Sequence, residues 1–247
     1  MEKHLIAGPL KDMHLKLIPG GSFRMGSPNS EEGRAENEGP QHRVTVRSFY
    51  LMTTLINQDH WCTVLGLNPS SIRGDDLPVE NISFNDVKRF IDALNRMTIK
   101  KLEATALSPE VFKPFRLPTE AEWEFACRAG TTTRFFFGDA MDDLDPGGWY
   151  RGNSNTTTHP SGVKKPNSWG LYDMHGNVWE WCEDNYRENY NLATGYATAW
   201  LEGDDNNRVV RGGCWYSMLD SCRSASRRKI NIHLDPENIG FRLARDL

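Results

Sequence analysis

The sequence predicts an α+β domain in which a few short strands and helices carry long, ordered loops. Two observations point there. The chain's 21 glycines and 13 prolines break it at short intervals, and its 8 tryptophans sit largely among the broken stretches, where bulky rings pack loops together. Regular periodicity, by contrast, is confined to a handful of short segments. At 247 residues the chain is long enough to bury a core without disulfide staples, and residues 1–247 read as a single domain.

Taken in order, strands are expected at 16–18, 23–25 and 43–50. In HRVTVRSF, Val44 and Val46 alternate with polar residues, the pattern of a half-exposed strand. A short helix follows over 58–65 with Asn57 as its cap. The clearest helix is SFNDVKRFIDALNRM: Ser83 caps it, and Phe84, Val87, Phe90, Ile91 and Leu94 recur on one face. RLPTEAEWEFACRAG gives another, with Pro118 ahead of it, Thr119 and Glu122 as a capping box, and Gly130 to close it. Further strands are expected at 178–181, 208–212 and 240–244. Nothing regular is expected between 131 and 172 or between 183 and 207, and loops of that length are usually functional or tied down. EEGRAENEG at 31–39 reads as an exposed, mobile loop, and DLDPGGW and EGDDNN as solvated acidic turns.

A net charge of -4 gives no strong field, so nucleic acid is not an expected partner; small neutral ligands and proteins remain open. In MEKHLIAGPLKDMHLKL charges interrupt every apolar stretch, which excludes a signal-peptide core and direct membrane insertion there. The expectation is a soluble chain, cytoplasmic unless an export signal has been removed, and a monomer by default. The 5 cysteines, Cys62, Cys127, Cys182, Cys214 and Cys222, are odd in number, spread out and without a C-x-x-C pair, against both a disulfide framework and a zinc site.

IPGGSFRMGS, LPVENISFNDVKRFIDALN, FRLPTEAEWEFACRAG, NSWGLYDMHGNVWEWCED, RVVRGGCW and NIGFRLAR occur in this order from Leu15 to Arg245. Together they resemble the formylglycine-generating enzyme, or sulfatase-modifying factor, family. The resemblance implies a C-type lectin-like fold of the formylglycine-generating-enzyme type, with a ligand face built from loops. It does not settle activity, since one fold hosts many functions.

In the family's oxidising enzymes two cysteines after a GGS motif bind copper and oxidise a substrate cysteine to formylglycine. Laid on this chain, the second falls on Cys222 and the first on Ser217. A hydroxyl is a poor Cu(I) ligand, so no copper is expected. Cys214 with Cys222 is the alternative thiol pair for such an oxidoreductase, against which Cys222 reads as a small buried hydrophobe. Relatives that join this fold to an iron-binding helical domain need an H-x-x-x-H-x-E cluster, which His4, His14, His42, His60, His159, His175 and His233 do not form.

The segment 211–244 also resembles the variable region of proteins diversified by retroelements. Its framework is Gly212, Gly213, Trp215, CRSA at 222–225, Arg227 and NIGF at 238–241. Between them Cys214, Tyr216, Ser217, Leu219, Asp220, Ser221, Ser226, Arg228, Ile230, Ile232, His233 and Leu234 follow neither strand nor helix period. A scaffold that tolerates arbitrary side chains has to keep them out of its packed core, so these positions are expected to be exposed and clustered, with Leu219, Ile230, Ile232 and Leu234 as an apolar patch. Tyr216 and Trp215 would be anchors. The resulting expectation is a hypervariable ligand-binding protein, with a protein or other surface ligand as partner and a cell-surface or secreted location if it is exported. The plain alternative is a family paralogue whose loop has drifted.

Last, in the family the stretch equivalent to DMHGNVWEW holds a structural calcium, which carries over to Asp173, Gly176, Val178 and Glu180; Asn153 is a candidate for a second ion. Trp149, Trp169, Trp179 and Trp181 are expected to fill core.

Overall fold

The computed structural model describes residues 5–7, 9–104, 112–140 and 145–247. Along the chain come β1 (Leu5–Ala7), β2 (His14–Ile18), β3 (Gly21–Met25), β4 (His42–Val46) and β5 (Phe49–Met52), then α1 (Gln58–Leu65) and α2 (Phe84–Ala104). β6 (Phe115–Arg116) and α3 (Glu120–Arg128) follow. The C-terminal half holds β7 (Trp179–Asn185), β8 (Asn207–Arg211), β9 (Arg227–Asn231), β10 (Ile239–Gly240) and β11 (Ala244–Asp246).

One sheet has the order β1-β2-β5-β11-β6, a second β10-β7-β8-β9, and β3 with β4 forms a separate ribbon. The first sheet is antiparallel throughout, whereas β10 joins β7 in parallel. α2 buries Phe84, Val87, Phe90, Ile91 and Leu94, with Phe90 stacked on Trp61 of α1 at 5.2 Å. Trp179 and Trp181 belong to the same core; Trp169 packs half-buried on the other core, under α3, and Trp149 lies half-buried, stacked on His159. No helix among the described residues is long and apolar enough to cross a membrane.

The cap chemistry sets the helix starts as expected. Asn57 Oδ1 accepts the His60 amide at 2.8 Å, and Thr119 Oγ1 accepts the Glu122 amide at 3.1 Å while Glu122 reaches back to the Thr119 amide. The end of α3 differs: Ala129 already takes the left-handed turn, at φ 46°, ahead of Gly130. The strand expected over 43–50 is two strands, because the chain passes from ribbon to sheet at 47–48, where Ser48 Oγ receives the Gly20 amide. That over 240–244 likewise divides between two sheets. β9 arises in a stretch without apolar period because it pairs with β8 through its backbone.

The loop 31–39 is exposed at Glu32, Gly33, Ala35 and Glu36, as its charge suggested, but it is tied down from beneath. Glu38 is buried, accepting the Ser27 hydroxyl and pairing with Arg223, and Glu31 pairs with the same arginine at 2.7 Å. The turn DLDPGGW begins at residues outside those described; from Asp145 onward it is exposed and then folds inward at Gly147. EGDDNN is exposed as expected up to Asn206.

Candidate functional site

β8 is followed by Gly212 and Gly213, both at positive φ (98° and 78°), and the chain turns sharply there into the loop 214–222. The turn is tight: a Cβ on Gly213 would lie 2.5 Å from Cys222 Sγ. Main-chain groups hold the loop that follows. The Trp215 amide donates to Asn177 O at 2.8 Å, Trp215 O accepts the Ser154 hydroxyl at 2.7 Å, and Ser217 O accepts the Arg151 amide at 3.0 Å. On the far side the Ser224 amide donates to Arg134 O at 2.7 Å. None of these bonds depends on the side chain the loop residue carries.

Beside this loop lies a cleft of about 410 Å³. Cys214, Tyr216, Ser217, Asp220, Ser221, Ser226 and Arg228 line it, facing Gly33, Ala35 and Glu38 of the 31–39 loop, with Trp179, Met218, Arg223, Arg227 and Asn238 also in its wall. The sequence reading missed the 31–39 wall altogether; the signal was an acidic run that buried arginines elsewhere in the chain would need. A paired-charge layer fixes the position of this wall. Arg223 is forked onto Glu38 and Arg227 onto Glu120, and Arg211 donates through one nitrogen to Glu124, all of them buried. The arginines hold the Glu120 and Glu38 carboxyls below their ordinary range despite burial, which by itself would raise them.

The expectation of exposure holds unevenly. Tyr216, Asp220, Arg228, His233 and Leu234 are exposed, and Leu219, Ser221, Ile230 and Ile232 are half-buried. Cys214, Ser217 and Ser226 are buried, contrary to expectation. The reason at Cys214 and Ser217 is their mutual turn, in which the Cys214 amide donates to Ser217 Oγ at 3.0 Å; Ser226 closes a turn through its amide to Arg223 O. The expected apolar patch does not form either: Leu219 packs beside Phe135 and Cys222, and Ile230 and Ile232 pack against the main core, leaving Leu234 outside. Trp215 is half-buried on that same core, while Tyr216 lies open beneath the Arg151 guanidinium, 5.3 Å from the ring centre.

The thiols do not form the family's metal pair. Ser217 Oγ sits 3.2 Å from Cys214 Sγ, so a hydroxyl stands beside the cysteine that lines the cleft. Burial raises the Cys214 thiol against the hydrogen bonds from Ser217 and Asn238, and raises Cys222 strongly; what tells against the family's pair is the Ser217 hydroxyl standing where a second thiolate is needed. These residues do not fit a two-thiolate copper site.

The calcium set is more nearly complete. Asp173 is buried at φ 58°; its Oδ2 accepts the Gly162 amide at 2.8 Å and its Oδ1 has no hydrogen-bond partner among the described residues. Glu180, however, is forked onto Arg242 at 2.6 and 2.8 Å. Asn153 spends its amide within its own turn, on Tyr150, Gly148 and Asp145. Among the described residues no three His, Cys, Asp or Glu side chains gather as a metal group, so a cation at Asp173 would rely on peptide carbonyls such as those of Gly176 and Val178.

Burial pushes the Asp173 carboxyl up to about 6, so between the ordinary carboxylate range and pH 6 the folded protein holds a proton the unfolded chain has lost. Its contribution to stability is therefore present at low pH and lost as pH rises through 6. Asp173→Asn is expected to remove a fall of about 3 kcal/mol between pH 4 and 7, read from urea unfolding at each pH. His175 works in the opposite sense. Held in a phenylalanine pocket and pulled down to about 4 by burial, it costs stability as pH falls below 6.5, which is why the mutant difference, not the wild-type curve, is the informative quantity.

The profile of the family described as "Sulfatase-modifying factor enzyme 1-like domain" matches residues 10–247. The formylglycine-generating enzyme of Thermomonospora curvata is 34% identical over 301 residues, covering 93% of this chain and 92% of that protein. Among solved structures, PvdO from Pseudomonas aeruginosa superposes with a TM-score of 0.83 at 28% identity, covering 98% of both chains. Treponema denticola variable protein 1 superposes with a TM-score of 0.82, also at 28% identity and 98% of both chains.

Proposed function

We propose, from the premise that the chain belongs to the sulfatase-modifying factor enzyme 1-like family, that it is a ligand-binding protein which presents diversified side chains in the cleft beside loop 214–222. The fold is α+β, of the formylglycine-generating-enzyme type within the C-type lectin-like fold. What supports the binding reading most is a division of labour: seven of the twelve patternless positions line one cleft, while the loop carrying them is anchored at Trp215, Ser217 and Ser224 through their main-chain groups, the Ser217 hydroxyl adding one side-chain bond within the first turn. The likeness to a variable protein of Treponema denticola is in keeping with this. The partner would be a protein or other surface ligand, met by a monomer at a cell surface or in secreted form.

Two measurements test the reading. Incubated with copper, oxygen and a peptide carrying the sulfatase cysteine motif, the purified protein is expected to form no aldehyde; formation of formylglycine would overturn the binding reading in favour of the oxidoreductase. Tyr216→Ala, Arg228→Ala and Leu234→Ala should each change unfolding free energy by no more than about 0.5 kcal/mol, as exposed ligand-facing positions do. A larger loss at all of them would mean that the face is structural.

A structural calcium at Asp173 accompanies the proposal. The unpartnered buried Oδ1 supports it, and Glu180, already held by Arg242, would contribute at most as a shared carboxylate. Added calcium should raise the melting temperature at pH 7.5 and leave Asp173→Asn unchanged.

A further inference from the structure

A second cleft, of about 420 Å³, lies on another face of the molecule, where the excursion 186–206 folds over the β3–β4 ribbon and the start of α3. The excursion is pinned there by the Thr45 amide to Gly195 O at 2.8 Å and the Ala197 amide to Thr45 O at 3.1 Å. Its apolar side chains stand open to solvent: Leu192 is 72% exposed, Tyr196 69% and Leu201 57%. At the inner wall lies Asp184, only 6% exposed. Its Oδ2 accepts the Glu120 amide at 2.8 Å and its Oδ1 the Trp200 amide at 2.9 Å.

Those two bonds explain where the carboxylate sits, not what balances its charge. Among the described residues no cation pairs with it. Arg211 is committed to Glu124 and Arg227 to Glu120, and Arg187 is stacked 3.7 Å from the centre of the Trp200 ring with Glu202 beside it. The start of α3 offers partial positive charge, but the Glu120 carboxylate stands next to it and opposes that effect. Burial first, and Glu120 second, push Asp184 up to about 7. A buried anion that no cation among the described residues pairs with, at the wall of a cleft whose exposed ring is Tyr196, is a setting that a cation with apolar substituents relieves, through the carboxylate and through that ring face; Trp200 and Tyr190 already carry Arg187 and Arg227. A metal ion fits poorly, since both oxygens already accept amides and no metal group gathers among the described residues.

We propose that this cleft binds a small organic ammonium ion, with its charged nitrogen against Asp184 and its apolar body over Leu192, Tyr196 and Leu201. The volume lies within the range of small-molecule sites, about 300–1,000 Å³. The site is separate from the loop 214–222 cleft and stands or falls independently of it.

The test is calorimetric titration at pH 8 with benzyltrimethylammonium, using benzyl alcohol as the neutral control. Saturable one-to-one binding of the cation is expected, with the alcohol at least about tenfold weaker. Asp184→Asn should weaken the cation by a similar factor. Because Asp184 also holds the start of α3, Leu201→Arg provides a second variant: it places a fixed cation at the mouth of the cleft, on an exposed position, and should abolish binding with an unchanged melting temperature. Absence of saturable cation binding by the wild type, equal binding of the alcohol, or wild-type affinity in folded Asp184→Asn or in Leu201→Arg would each overturn the proposal.

Discussion

Glu124→Ala is expected to destabilise the protein by about 3–5 kcal/mol, because it leaves two buried guanidinium groups without their shared counter-ion. Glu124 is fully buried. Its Oε1 accepts the Gly26 amide and Arg128 Nε, both at 2.9 Å, and its Oε2 accepts Arg211 Nη2. The adjacent Glu120 serves Arg227 and, more distantly, Arg211, so neither arginine has an idle carboxylate to turn to. In a chain of this size the loss corresponds to a fall of roughly 6–20 °C in melting temperature, read by calorimetry. Glu124→Gln keeps an acceptor for Gly26 and should fall between wild type and alanine. A loss below about 1 kcal/mol for alanine would show that water reaches the arginines and that the layer beneath the cleft is looser than its burial indicates.

The second large effect is expected from Gly213→Ala, at about 2–6 kcal/mol. Alanine at φ 78° is strained by about 1–3 kcal/mol, and its Cβ would meet Cys222 Sγ at 2.5 Å and Ser221 O at 3.0 Å, an overpacking cost of similar size. Pairing it with Cys222→Ala isolates one cause: removing the Sγ contact should restore part of the loss, whereas the backbone strain and the contacts with Ser221 O and Cys222 Cα would remain. Urea unfolding of the single and double variants gives the comparison.

What could be read from the sequence follows the range of the interactions involved. α1 and the start of α3 were readable to the residue because a cap is made by residues within one turn, as at Asn57 and Thr119. The breaks at 47–48 and near Arg242 were not, since apolar spacing does not tell which sheet a strand will join. β9 stayed hidden because Arg227, Arg228 and Lys229 show no alternation and the strand is specified by its partner β8. The family motifs located the cleft, but only one of its walls. The other depends on Glu38 meeting Arg223, 185 residues away in sequence, and a local run of acids looks solvated until such a partner is known. For the same reason Cys214 and Ser217, patternless as letters, turn out to be buried by their own turn.

The position of β11 carries a consequence for how faulty copies of this protein would fare. Ala244–Asp246 is the last strand in chain order among the described residues, yet it is an interior strand, with β5 on one side and β6 on the other. A ribosome that stops or shifts frame anywhere in 211–243 therefore yields a chain whose first sheet has a gap in its middle, with strand edges unpaired on both sides of the gap. Such a product cannot close its core and is left to proteases. If the segment proposed to vary does so, completion of the fold would sort its copies, since only those read through it in frame would supply the strand that closes the sheet.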